Sequence, residues 1–142
     1  MKLSNGKLLK FRYDSEIKNR EYVRYIDTYK GKSIKHVYSY TGEYITTTCL
    51  LIDESGNESS KFFSVCSPFD YFDKRIGKWK SIRQLIEFMF DEDYDLSKEI
   101  LEKFISYKKN SKFVSYSNSE KINILAQDLL SSSVKNYDNI GI

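Results

Sequence analysis

The sequence predicts an α+β fold, with an N-terminal antiparallel β-sheet of about five strands followed by two to three α-helices. Two observations carry that expectation. Strand-like runs, several of them alternating with a period of two, extend as far as Val65, and from Phe72 onward apolar residues recur at spacings of three and four. Glycine-bearing turns separate the strand-like runs, which fits a meander of hairpins.

The first run, residues 7–13, sets Leu9, Phe11 and Tyr13 against Lys10 and Arg12. In residues 20–29, Val23, Tyr25 and Tyr29 oppose Tyr22 and Ile26. Residues 34–40 place Ile34, His36, Tyr38 and Tyr40 on one face. Residues 44–52 are β-branched and apolar, and residues 61–65 form a short apolar run. Turns are expected at Gly31, at Gly42 and at Asp53-Glu54-Ser55-Gly56-Asn57, where glycine supplies a positive φ.

The helical half opens with Phe72, Ile76, Trp79, Ile82, Ile86, Met89 and Phe90 along one stripe. Asp70, after Pro68, is the expected N-cap, its carboxylate accepting from free backbone N–H groups. Gly77 inside this helix costs about 1 kcal/mol against alanine, so it marks close approach of another backbone or of a ligand. A second helix carries Leu96, Ile100, Leu101, Phe104 and Ile105 on its apolar face. Residues 108–118 read as a polar loop around Phe113 and Val114. Ser119 then caps a third helix through Ile122, Leu125, Ala126, Leu129 and Leu130, with fraying expected from Ser131.

Length bounds the organisation. The 142 residues fit a single domain, 1–142, with a β half at 1–66 and a helical half at 67–142. Hydrophobic residues at 40% and charged residues at 30% give a globular composition. A net charge of +3 is weak for a dedicated duplex-DNA binder, whose affinity rests on counterion release. No stretch approaches the roughly 18 apolar residues of a membrane span, and the N-terminus lacks a signal-peptide core. A cytoplasmic protein with no membrane association is therefore expected, with Cys49 and Cys66 reduced.

Two features could carry a site. Lys74, Arg75, Lys78, Lys80 and Arg83 make the first helix basic, and Arg75, Trp79 and Arg83 fall four apart. Such a strip could stack a base on the indole and hold phosphates with the guanidiniums. The plainer reading puts Trp79 in the core and the basic residues on a solvated face. The second feature is Cys66-Ser67-Pro68-Phe69-Asp70, a strand-to-helix junction where helix N–H groups could meet an anion. Asp70 would compete for those groups, and an ordinary capped junction explains the segment equally.

Other chemistry is thin. Asp91, Asp93, Asp95 and Glu102 have calcium-loop spacing, but Leu96 stands where the loop needs glycine. His36 is the only histidine and forms no dyad with either cysteine from sequence. There is no zinc spacing and no glycine-rich phosphate loop. No cofactor and no catalytic residue is expected.

The run Val65-Cys66-Ser67-Pro68-Phe69-Asp70-Tyr71-Phe72-Asp73-Lys74-Arg75-Ile76-Gly77-Lys78 resembles a phage pattern of Cys-Ser-Pro, two residues on an Asp, then Phe, basic residues and Ile-Gly-Arg opening a helix. That pattern belongs to the first type of Thoeris anti-defence proteins, which are sponges for cyclic ADP-ribose-type signals. The resemblance covers some twenty residues. Lys78 departs from it where the family has Arg, and the later small-residue and Arg positions appear only as Ser81 and Arg83. It implies a non-enzymatic protein in the bacterial host cytoplasm that sequesters a cyclic nucleotide, held between subunits of a homo-oligomer. With the strip reading, the candidate ligand-binding residues are Phe72, Lys74, Arg75, Lys78, Trp79 and Arg83. Two alternatives stay open: an inhibitor that binds a host defence protein directly, and a single-stranded nucleic-acid binder that stacks bases on tyrosines.

Overall fold

The computed structural model of the protein describes residues 1–107, 110–115 and 117–140. Over these described residues it is α+β: an antiparallel sheet of three strands in the order β1-β2-β3 precedes four helices. The strands are β1 (Leu8–Asp27), β2 (Ser33–Ile52) and β3 (Glu58–Cys66).

Three strands replace the expected five because two pairs of short runs fuse. Between the runs ending at Tyr13 and starting at Arg20 the chain has neither glycine nor proline, so nothing stops the strand. Its polar side chains there bond across the ladder, Ser15 to Glu43 at 2.5 Å and Asn19 to Thr41 at 2.7 Å. Gly42, expected in a turn, lies inside β2 and lacks the positive φ found at Gly31 and Gly56. Its small size serves contact instead: a Cβ there would lie 2.6 Å from the Pro68 side chain. The turns at Gly31 (φ 77°) and Gly56 (φ 87°) are where the sequence places them.

β1 and β2 pair along their whole length, from Leu8 with Ile52 to Asp27 with Ser33. β3 reaches only from Ile52 to Ile45 of β2. Half of the hairpin therefore projects past β3 as a two-stranded arm, closed by the turn in which Thr28 accepts from Gly31 and donates to Lys32.

The helices are α1 (Lys74–Met89), α2 (Tyr94–Ser106), α3 (Ser111–Ser115) and α4 (Glu120–Ile140). The cap of α1 is Asp73, whose carboxylate accepts from the Arg75 N–H at 2.8 Å. Asp70 is not the cap, because its own N–H closes a turn onto the Ser67 carbonyl three residues before the helix can start. Asp93 caps α2 and Ser119 caps α4, each accepting from an N–H three residues on. The five-residue α3 occupies part of the expected loop, whose residues 108, 109 and 116 lie outside the described residues. α4 continues through Ser131 to Ile140 instead of fraying there.

One hydrophobic cluster draws on both halves. Leu9, Cys49 and Leu51 from the sheet meet Trp79, Ile82 and Ile86 of α1. Ile100, Leu101 and Phe104 of α2 and Ile122 and Leu125 of α4 close it. Among the described residues no helix is long and apolar enough to cross a membrane.

α1 lies close against β2 because Gly77 faces Thr47, where a Cβ would overlap the Thr47 hydroxyl and sit 3.0 Å from its Cβ. Gly77→Ala should therefore destabilise the fold by about 1–3 kcal/mol, although alanine is the better helix former. Denaturant unfolding checks this. Adding Thr47→Ala should recover part of the loss, since it removes the overlapping hydroxyl.

Candidate functional site

β3 ends at Cys66, and the chain leaves the sheet through the turn at Ser67 before entering α1 at Asp73. The Ser67 hydroxyl accepts from the Phe69 N–H at 3.2 Å and tightens the turn. This short crossing stands off the sheet edge, leaving a cleft on either side of it.

The first cleft, of about 390 Å³, lies between the loop, β3 and α1. Thr47, Asp70, Tyr71, Phe72, Asp73 and Lys80 supply its chemistry. At its base the Thr47 side chain is 1% exposed, and among the described residues its hydroxyl has no hydrogen-bond partner. An unsatisfied buried hydroxyl costs about 1–3 kcal/mol and gains most from a partner brought by a ligand or water. The second cleft, of about 410 Å³, lies between the loop and β2, beside Tyr40, Gly42 and Ile45. Both clefts share Cys66, Asp70, Tyr71 and Phe72. Tyr71 is fully exposed.

An aromatic layer backs the second cleft. Phe69 packs on Tyr40 at 4.5 Å and edge-on to Tyr22 at 5.4 Å. Tyr22 stacks on Tyr38, and Tyr38 stacks on His36 at 5.8 Å. The hydroxyls of Tyr22 and Tyr44 are hydrogen-bonded, which raises the Tyr22 pKa above its ordinary value. Arg20 covers the buried Tyr44 ring at 4.5 Å.

The structure scatters the six sequence-derived candidates. Phe72 lines both clefts and meets Tyr13 edge-on at 6.0 Å. Lys74 joins it there, with its ammonium 5.0 Å above the same ring. Lys78 sits over Phe11 at 5.3 Å, one turn further along the helix. Arg75 pairs with the capping Asp73 at 3.7 Å, and Arg83 pairs with Glu87 at 3.8 Å. Trp79 leaves the set: it is 6% exposed and stacks with Phe104 and Phe113 in the core. Its apolar ring gains more inside than beside two guanidiniums, so the Arg-Trp-Arg strip does not form a stacking surface.

Sequence reasoning missed Thr47, and it named Phe69, Tyr71 and Lys80 within the junction and the basic helix without placing them among the ligand-binding residues. The period of two puts Thr47 on the face of Cys49 and Leu51, and that parity was the available signal. Nothing local distinguishes Lys80 from its basic neighbours. At the start of helix α1 the Asp73 carboxylate already accepts from the Arg75 N–H, so an anion there would meet a like charge in place.

The acidic run is structural. Asp93 caps α2, and Asp91 pairs with Lys121 at 3.1 Å. Among the described residues no three His, Cys, Asp or Glu side chains converge as a metal site.

Comparison with protein-family models, with curated proteins and with solved structures gives no match to this chain.

The two thiols differ. Burial pushes the Cys49 thiol up to about 12, whereas Cys66 lies half-buried in the walls of both clefts. Alkylation of the folded protein should label Cys66 and leave Cys49 unmodified until unfolding, which peptide mass mapping reads directly. A raised thiol pKa means that the folded state holds its proton longer than the unfolded chain. Stability should therefore fall as pH rises from about 9 toward about 12, by up to about 1.4 kcal/mol per unit from this group. Cys49→Ala should remove that part of the slope in denaturant titrations.

Proposed function

We propose that the protein binds and sequesters a cyclic ADP-ribose-type nucleotide, without cleaving it, at the two clefts flanking the 66–72 loop. The observation that carries this reading is the shared aromatic wall, in which Phe72 and the fully exposed Tyr71 border both clefts. Each cleft falls in the range of about 300–1,000 Å³ usual for small-molecule sites. Bases stack on such rings for about 1–3 kcal/mol each. Asp70 and Asp73 suit ribose hydroxyls, which donate to carboxylates, and Lys80 is the cation placed to meet a phosphate. The phosphate therefore sits toward Lys80 and away from the start of α1. Resemblance of the 65–78 run to Thoeris anti-defence proteins supports the choice of nucleotide class.

A second reading, direct binding to a host defence protein, is supported by the exposed Tyr25, Ile26, Tyr29 and Ile34 at the end of the arm. Replacing Tyr25 and Tyr29 with serine would abolish such binding and leave nucleotide retention intact.

Incubation with cyclic ADP-ribose isomers, removal of free ligand, heat release and mass spectrometry test the main reading. An unaltered nucleotide should be recovered. Tyr71→Ala and Lys80→Glu should each lower retention about tenfold, with unchanged melting because both side chains are exposed. Recovery of no nucleotide sinks the proposal, and recovery of a chemically altered one makes the protein an enzyme.

A further inference from the structure

We infer that the protein self-associates through the free edge of β2, by antiparallel pairing of two copies about a two-fold axis at Ser39. The inference rests on the arm, whose end at Gly42 and Glu43 also walls the second cleft, and its test requires no nucleotide.

Past Ile45, β2 has β1 on one side and, among the described residues, no strand on the other. On that side the loop after Cys66 reaches only as far as Gly42 and Glu43 and, through Phe69, Tyr40. An isolated two-stranded ribbon is marginal in water, and a long unpaired edge is a template for another strand. The two edges of the arm differ in chemistry. β1 carries a charged side chain at nearly every second position, a pattern that discourages pairing. In β2, residues 33–44 carry just two charged side chains, Lys35 and Glu43. The exposed apolar residues of this segment are Ile34, Val37, Tyr38 and Tyr40.

Those two charges stand symmetrically about Ser39, four residues to either side. An isologous antiparallel pair centred there sets Lys35 opposite Glu43 of the second copy, and the symmetry repeats the pair. The same register sets Tyr38 opposite Tyr40 and Val37 opposite Thr41. Aromatic pairs, β-branched pairs and opposite charges are the cross-strand combinations that stabilise a sheet. A register shifted by two residues keeps the faces but loses both charge pairs, so Ser39 is the centre that the side chains select.

Sedimentation equilibrium over a concentration series tests the pairing, with circular dichroism confirming the fold of each variant. The wild type should reach the mass of two chains. Lys35→Glu and Glu43→Lys each replace two attractive pairs with repulsive ones, and each should weaken association about tenfold. The double variant, Lys35→Glu with Glu43→Lys, should restore it. A wild-type protein that stays monomeric at several hundred micromolar overturns the inference. So does a dimer that tolerates both single variants unchanged, or one that the double variant fails to restore.

Discussion

The approach of α1 to β2 at Gly77 is the constraint on which the rest of the molecule depends. Thr47 stands where any larger residue would hold the helix away from the sheet. With the helix seated, Ile82, Leu85 and Ile86 become fully buried, and the cluster with α2 and α4 closes over them. The same seating fixes the start of α1 near the end of β3, so that only seven residues separate Cys66 from Lys74. Both clefts follow from that short span, and so does the unpaired Thr47 hydroxyl at the base of one of them.

Seen electrostatically, the surroundings of the loop are mixed rather than basic. Asp73 neutralises the helix end and draws in Arg75, while Lys74 and Lys78 are turned toward aromatic rings of β1. A ligand there meets rings, hydroxyls and carboxylates before it meets a cation. On the proposed reading, discrimination at this site comes from shape and from sugar-like donors. A bare inorganic anion would find little to hold it.

Much of this was legible in the sequence. Alternation of period two placed Leu9, Phe11 and Tyr13 on one face, and spacings of three and four located α1, α2 and α4. Glycine was informative where backbone conformation required it, at Gly31 and Gly56, and misleading at Gly42, where steric contact with Pro68 required it instead. Residue type cannot separate those two uses. The number of strands was obscured for a related reason: the polar residues between Tyr13 and Arg20 resemble a loop until their partners across the ladder are known. Tertiary contact likewise decided the fate of Trp79, since four-residue spacing fixes which residues share a strip and not which way the strip faces. Asp73 prevailed over Asp70 as the cap because the turn at Ser67 postponed the helix.

Gly42 beneath Pro68 has a bearing on how the chain reaches its fold. A one-residue slip of β2 against β3 is forbidden by the core, because it turns every apolar side chain outward. A two-residue slip preserves the faces, and the hydrophobic pattern alone would tolerate it. It would, however, bring Tyr40 or Tyr44 under the proline, where there is room for no side chain. The loop that walls the clefts thus also favours the observed alignment of the sheet over either two-residue slip.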